Sequence, residues 1–160
     1  GVNICIHICM AALHLIAEQL IAEVKREMSE VGFLSDDLLS ALHSVFHLHA
    51  LHAFDLVDRD SVTHFTCPSG RELYRVKGSS STSYTCFSSS SYCNCPSFVY
   101  AVLVKEDSLV CKHTLAVQLA IAMNRYEEHE VSDVEFAELL SGGGARLEEE
   151  TSAGHLLTKP

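Results

Sequence analysis

Cys93-Asn94-Cys95 and Cys111-Lys112-His113, with fifteen residues between them, decide how this chain is read. The pattern is C-x-C-x15-C-x-H, two tight pairs that together offer three thiols and one imidazole. That is a complete tetrahedral ligand set for zinc, a borderline-soft ion with no d-electron preference of geometry. In an extended segment residues i and i+2 point to the same side, so Cys93 and Cys95 can grip one ion together. Such a closed site has no vacant position for a substrate water, so one structural Zn2+ is expected rather than a catalytic one. The competing reading is four ordinary residues, buried reduced thiols and a solvated histidine; two x-spaced pairs beside Gly, Ser and Pro turn signals argue against it.

Around these pairs the hydrophobic period changes from helix to strand and back. Leu13, Ile16, Leu20, Ile21, Val24, Met28 and Val31 recur at helical spacing and predict an amphipathic helix from about Ala11 to Glu30, ended near Gly32. Ser35 as N-cap, with Asp36 and Asp37 in the first turn, predicts a second helix to about His49. Asp55 to Asp60 reads as a polar link. Val62 to Cys67 and Arg71 to Lys77 read as strands of a hairpin around Pro68-Ser69-Gly70, with a third strand near Tyr84 to Ser88 and a serine loop from 88 to 91. Phe98 to Val104 is open between strand, from its β-branched content, and helix, from Pro96 at a possible first helical position. Thr114 to about Arg125 predicts a helix apolar nearly all round, either sandwiched between the N-terminal helices and the sheet or offered to a partner. Ser132-x-x-Glu135 is a capping-box signature for a last helix to about Leu140, stopped by Gly142 to Gly144.

The fold expected is α+β: N-terminal helices, a small antiparallel β-sheet carrying the zinc finger, and C-terminal helices. The boundaries expected are 1–9 as an upstream or fragment segment, 10–60 helical, 61–125 the zinc-finger region with its motif at 93–113, 126–141 a C-terminal helix, and 142–160 a disordered tail.

The pattern C-x-C-x(n)-C-x-H resembles the SWIM-type zinc finger. The flanking words Asp55-Leu56-Val57-Asp58-Arg59, Pro68-Ser69-Gly70-Arg71, Tyr84 to Cys86, Cys95-Pro96-Ser97-Phe98 and Cys111-Lys112-His113-Thr114-Leu115-Ala116-Val117 narrow the likeness to the SWIM subunits of Shu-type recombination complexes. The resemblance covers about Leu38 to Met123. It implies a non-catalytic nuclear subunit of a recombination mediator that pairs with a RecA-family recombinase paralogue as a heterodimer. That complex would help a recombinase assemble on single-stranded DNA in homologous recombination repair and meiosis.

The bulk composition is compatible with this. At 160 residues, 48% hydrophobic and a mean hydropathy of +0.16, the chain can bury a core. Its formal net charge of −10, with only 11 Lys and Arg, argues against a free-standing nucleic-acid binder, because such affinity is largely phosphate neutralisation. Arg71, Arg75, Lys77 and Lys112, with Lys105, do gather in the zinc half; a solvated strand face is the plainer account, and a direct nucleic-acid-binding zinc module using the first four is the alternative function. Seven cysteines, an odd number, cannot all pair in disulfides, and Cys67 and Cys86 are read as core thiols. No apolar run reaches the length of a membrane span, since His7, His14 and Glu18 interrupt the only candidate. His43 and His47 share a helix face, yet no H-E-x-x-H frames them, and they are read as surface histidines. There is no G-x-S-x-G elbow and no phosphate-cradling loop, so neither an enzyme nor a small-molecule substrate is expected.

Overall fold

The computed structural model describes residues 2–78, 80, 82–105 and 108–142, the first seven of these by backbone alone. Helix α1 spans Val2–Glu30, α2 Asp36–Phe46 and α3 Leu48–Asp58. Strands β1 (Val62–Thr66), β2 (Glu72–Lys77), β3 (Ser83–Phe87) and β4 (Tyr92–Cys93) follow, then a π-helical segment Phe98–Val104, helix α4 (Lys112–Met123), strand β5 (Glu127–Glu130) and helix α5 (Asp133–Leu140). The architecture is mixed α and β, in agreement with the class expected.

Helix α1 begins nine residues before its expected start, because amphipathic periodicity locates only the part that packs. Ala17, Leu20, Ile21, Val24 and Met28 of its C-terminal half join the main core. Gly32, at φ 84°, turns the chain after it, and the Glu27 carboxylate accepts from both the backbone N–H and the hydroxyl of Ser35 at 2.7 and 2.8 Å. Ser35 in turn caps α2 by accepting from the Leu38 N–H at 3.3 Å. The second helix stops three residues earlier than expected, at Phe46, because the φ of 52° and ψ of −133° at the next residue, His47, lie outside helical space. A third helix begins immediately, and of the link expected from Asp55 to Asp60, the part to Asp58 is its last turn. Ala53, Leu56 and Val57 are buried on its inner face, so the acidic residues there are merely the outer side of an amphipathic helix.

The sheet runs in the order β4-β3-β2-β1-β5. The hairpin β1–β2 pairs Val62 with Val76 and Thr66 with Glu72, and Gly70 at φ 79° closes its turn. Four strands are antiparallel neighbours; β5 is added parallel to β1, pairing Thr63 with Glu127 and Thr66 with Glu130. The segment expected to be only a C-terminal helix therefore opens with an edge strand. Glu127-Glu128-His129-Glu130 carries no strand-like apolar alternation, and its pairing is imposed by β1.

Strand alternation separates two cores. Tyr74, Val76 and Cys86 face the large cluster formed with α1 to α4, while Phe65, Leu73 and Cys67 face Phe136 and Leu139 of α5. Helix α4 lies at the centre. His113, Thr114, Leu115, Ala116, Val117, Leu119, Ala120 and Ala122 are all buried, and the helix packs on α1, α3 and the sheet. This decides the open choice about the all-apolar helix: it is sandwiched, and only Ile121 is a large apolar residue exposed on it. The other ambiguity resolves toward helix, opening at Pro96 and π-helical from Phe98: the Lys105 N–H reaches the Tyr100 carbonyl at 3.0 Å, five residues back. The tail expected at 142–160 lies, from 143 on, outside the described residues. No described helix is long and apolar enough to cross a membrane.

Candidate metal centre

Three separate local devices bring the four predicted ligands together. Cys93 ends β4, where its Cα is the register partner of Cys86 on β3. Cys95 precedes the helical turn that opens at Pro96, and its carbonyl accepts from the N–H groups of Phe98 and Val99. Cys111 is the N-cap of α4, with extended φ −90° and ψ 167°. His113 is the second residue of that helix, in its first turn, and its ring faces Tyr84 of β3. The result is a buried group of Cys93, Cys95, Cys111 and His113 whose ligand atoms all lie within 4.8 Å of one another.

The polar surroundings suit thiolates. The Cys95 N–H points at Cys93 Sγ at 3.4 Å, the Phe98 N–H at Cys95 Sγ at 3.3 Å and the Thr114 N–H at Cys111 Sγ at 3.4 Å. Each sulfur thus accepts one backbone N–H, which favours its charged form. Cys111 also sits at the positive end of the α4 dipole. Thr114 completes a capping box with it, its hydroxyl accepting from the Cys111 N–H at 3.2 Å.

Without a cation three touching sulfurs cannot all ionise. Hydrogen bonds from Cys93 and Cys95 push the Cys111 thiol far below its ordinary value. The same contact with Cys111 drives Cys93 and Cys95 upward, helped by Cys86 in the first case and by Cys93 in the second. Without a metal, negative charge is favoured on Cys111 and disfavoured on Cys93 and Cys95; a divalent cation would remove the conflict and allow three thiolates.

His113 Nδ1 lies 3.9 Å from Cys93 Sγ, and its Nε2 is buried with no hydrogen-bond partner among the described residues. At 3% exposure the imidazole is buried beside the sulfurs, and a buried polar ring is costly unless it binds something. The residues therefore fit zinc: a soft, buried S3N set that would close around one ion and leave no place for a reacting water.

Two residues that touch the ligands without belonging to the ligand set escaped the sequence reading. Tyr84 on β3 stacks on the His113 ring, centroids 4.4 Å apart and planes at 29°. Cys86, expected and found as a buried core thiol at 1% exposure, interacts with Cys93. Strand parity was the available signal, because residues 84 and 86 face the same side as the ligands only once β3 is paired with β4.

The four basic residues considered for nucleic acid do not form one surface. Arg71 donates to Asp133 Oδ1 at 3.4 Å and lies over the Phe136 ring, 5.0 Å from its centroid. Arg75 is buried on the α5 side of the sheet, and Lys77 is exposed at the end of β2. Lys112 is half-buried at the start of α4, on the opposite side of the sheet. The histidines set aside as surface residues, His43 and His47, are exposed.

The comparisons with known proteins agree with this centre. No family model matches the chain, and no solved structure does. The chain is 47% identical to Zinc finger SWIM domain-containing protein 7 of Danio rerio over 82% of its own length and 94% of that protein. It is 42% identical to the Homo sapiens protein of the same name over 80% and 91% of the two chains. A Dictyostelium discoideum homolog is 32% identical over 69% and 71%. With the ligand set, its burial and this likeness along most of its length, the chain belongs to the family of zinc finger SWIM domain-containing protein 7.

Proposed function

We propose that this chain is a non-catalytic, nuclear subunit of a recombination mediator, in which it pairs with a RecA-family recombinase paralogue and helps recombinase assemble on single-stranded DNA. The observation that carries the division of labour is the fate of its cations. Among the described residues Arg26, Arg59, Arg71 and Arg125 each pair with a carboxylate of this chain, and Arg75 is buried. With a net charge of −10 as well, phosphate binding falls to a partner. The site chemistry agrees, since a closed zinc centre organises structure and has no open coordination position for turnover.

The zinc also organises a surface for that paralogue. Cys95 holds the first turn of the π-helical segment through its carbonyl and its sulfur. Val99, Tyr100, Leu103 and Val104 on that segment are exposed, which is apolar area concentrated beside the metal centre. Helix α4, being buried, is not the partner surface. The test is a pull-down of the RecA-family paralogue with wild type, Cys111→Ala, Tyr100→Glu and the triple variant Arg71→Ala/Arg75→Ala/Lys77→Ala. Loss with the first two and retention with the folded triple variant is expected. Wild-type recovery by Cys111→Ala overturns the reading. Strong, salt-dependent single-strand binding by the isolated chain replaces it with the direct nucleic-acid-binding module.

A further inference from the structure

The centre has a fourth sulfur, that of Cys86, which ligation does not use. Cys86 and Cys93 are opposite each other in the antiparallel pair β3–β4, 1% and 0% exposed, and both are reduced. Directly paired antiparallel residues have Cα atoms about 4.5 or 5.5 Å apart, and both spacings fall within the range a disulfide spans. Cys67, the other core thiol, lies in the α5 cluster on the far side of the sheet and cannot serve. Strand β4 is only two residues long and is an edge of the sheet, so it is paired on one side alone. Elements with so few ladder bonds open locally at low free-energy cost, which admits a small oxidant to an otherwise buried sulfur.

We propose that Cys86 is the partner thiol that captures Cys93 when the centre is oxidised by a hydroperoxide, forming a Cys86–Cys93 disulfide and releasing the zinc. The inference rests on Cys93 being a zinc ligand. The Cys93 thiolate attacks one peroxide oxygen; the O–O bond breaks, leaving a sulfenic acid and hydroxide, which takes a proton to become water. The Cys86 thiol then attacks that sulfur, and its proton leaves with the sulfenic oxygen as a second water. Two electrons pass from the two sulfurs to the peroxide. Zn2+ departs because a disulfide sulfur is no longer a thiolate ligand. A thiol and disulfide reductant with added zinc reverses the change.

The test treats the zinc-loaded full chain with hydrogen peroxide, follows released zinc with a chromophoric chelator and maps disulfides by non-reducing peptide mass spectrometry. The expected result is a Cys86–Cys93 cross-linked peptide that rises in proportion to free zinc and disappears with dithiothreitol. Cys86→Ser is expected to keep one zinc per chain before oxidation and to release it severalfold more slowly. If zinc leaves while Cys86 stays fully alkylatable, or the only disulfides join Cys93, Cys95 and Cys111 to one another, the proposal is wrong; this readout needs no variant that folds. A wild-type protein that holds no zinc before oxidation would instead refute the metal reading, and mapping the peroxide-treated metal-free chain would still decide the pairing.

Discussion

Cys111→Ala removes two things at once, a zinc ligand and the N-cap of α4, and the two can be separated. The Cys111 sulfur accepts from the Thr114 N–H within a reciprocal capping box, and losing such a cap costs about 1 kcal/mol. Structural zinc binds small fingers with about 10–16 kcal/mol, as much as the roughly 5–15 kcal/mol that holds a whole domain. Cys111→Ser keeps a hydroxyl suited to capping but lacks the thiolate. Ser132→Ala removes the other capping box, on α5, and touches no metal. For a chain of this size each kcal/mol lowers the melting temperature by about 2–4 °C, so Ser132→Ala should lose about that much and still unfold cooperatively. Both Cys111 variants should bind no zinc and show no cooperative transition. The loss should reach α1 and α3 as well, because α4 packs against both helices and the sheet. Thermal melts followed by circular dichroism, with zinc counted by metal analysis, provide the measurement. A Cys111→Ser protein that melts with wild type, or a chelator-stripped wild type with an unchanged melting temperature, would refute the reasoning.

Zinc uptake should release protons near neutral pH, since contact with Cys111 pushes the Cys93 and Cys95 thiols up in the metal-free centre; affinity should therefore fall as pH falls, and calorimetry in buffers of different ionisation enthalpy detects the released protons. Leu119→Ala, at a fully buried position of α4, should cost about 2–5 kcal/mol in urea unfolding while leaving one zinc per chain. His47→Gly should raise the denaturation midpoint, because φ 52° with ψ −133° strains a residue bearing a Cβ by about 1–3 kcal/mol; an unchanged or lower midpoint counts against strain there.

Ligand identity, metal and the mixed helix and strand class were legible in the chain alone, because they depend on local chemistry and period. Two x-spaced ligand pairs name their ion without any knowledge of the fold, and Ser35 and Ser132 mark helix starts through bonds to residues three positions on. What tertiary structure decided depends on partners far away in sequence. Strand β5 exists because β1 offers it an edge, and α4 is buried because α1, α3 and the sheet close around it. Asp55 and Asp58 belong to a helix because Leu56 and Val57 have a core to enter. Arg71 pairs with Asp133 of α5 and Arg75 is buried in the sheet, which no count of charges reveals. Cys86 becomes more than a core thiol only through its register with Cys93. Hydrophobic period and ligand spacing are properties of a segment, whereas pairing and burial are settled by the free energy of the whole chain.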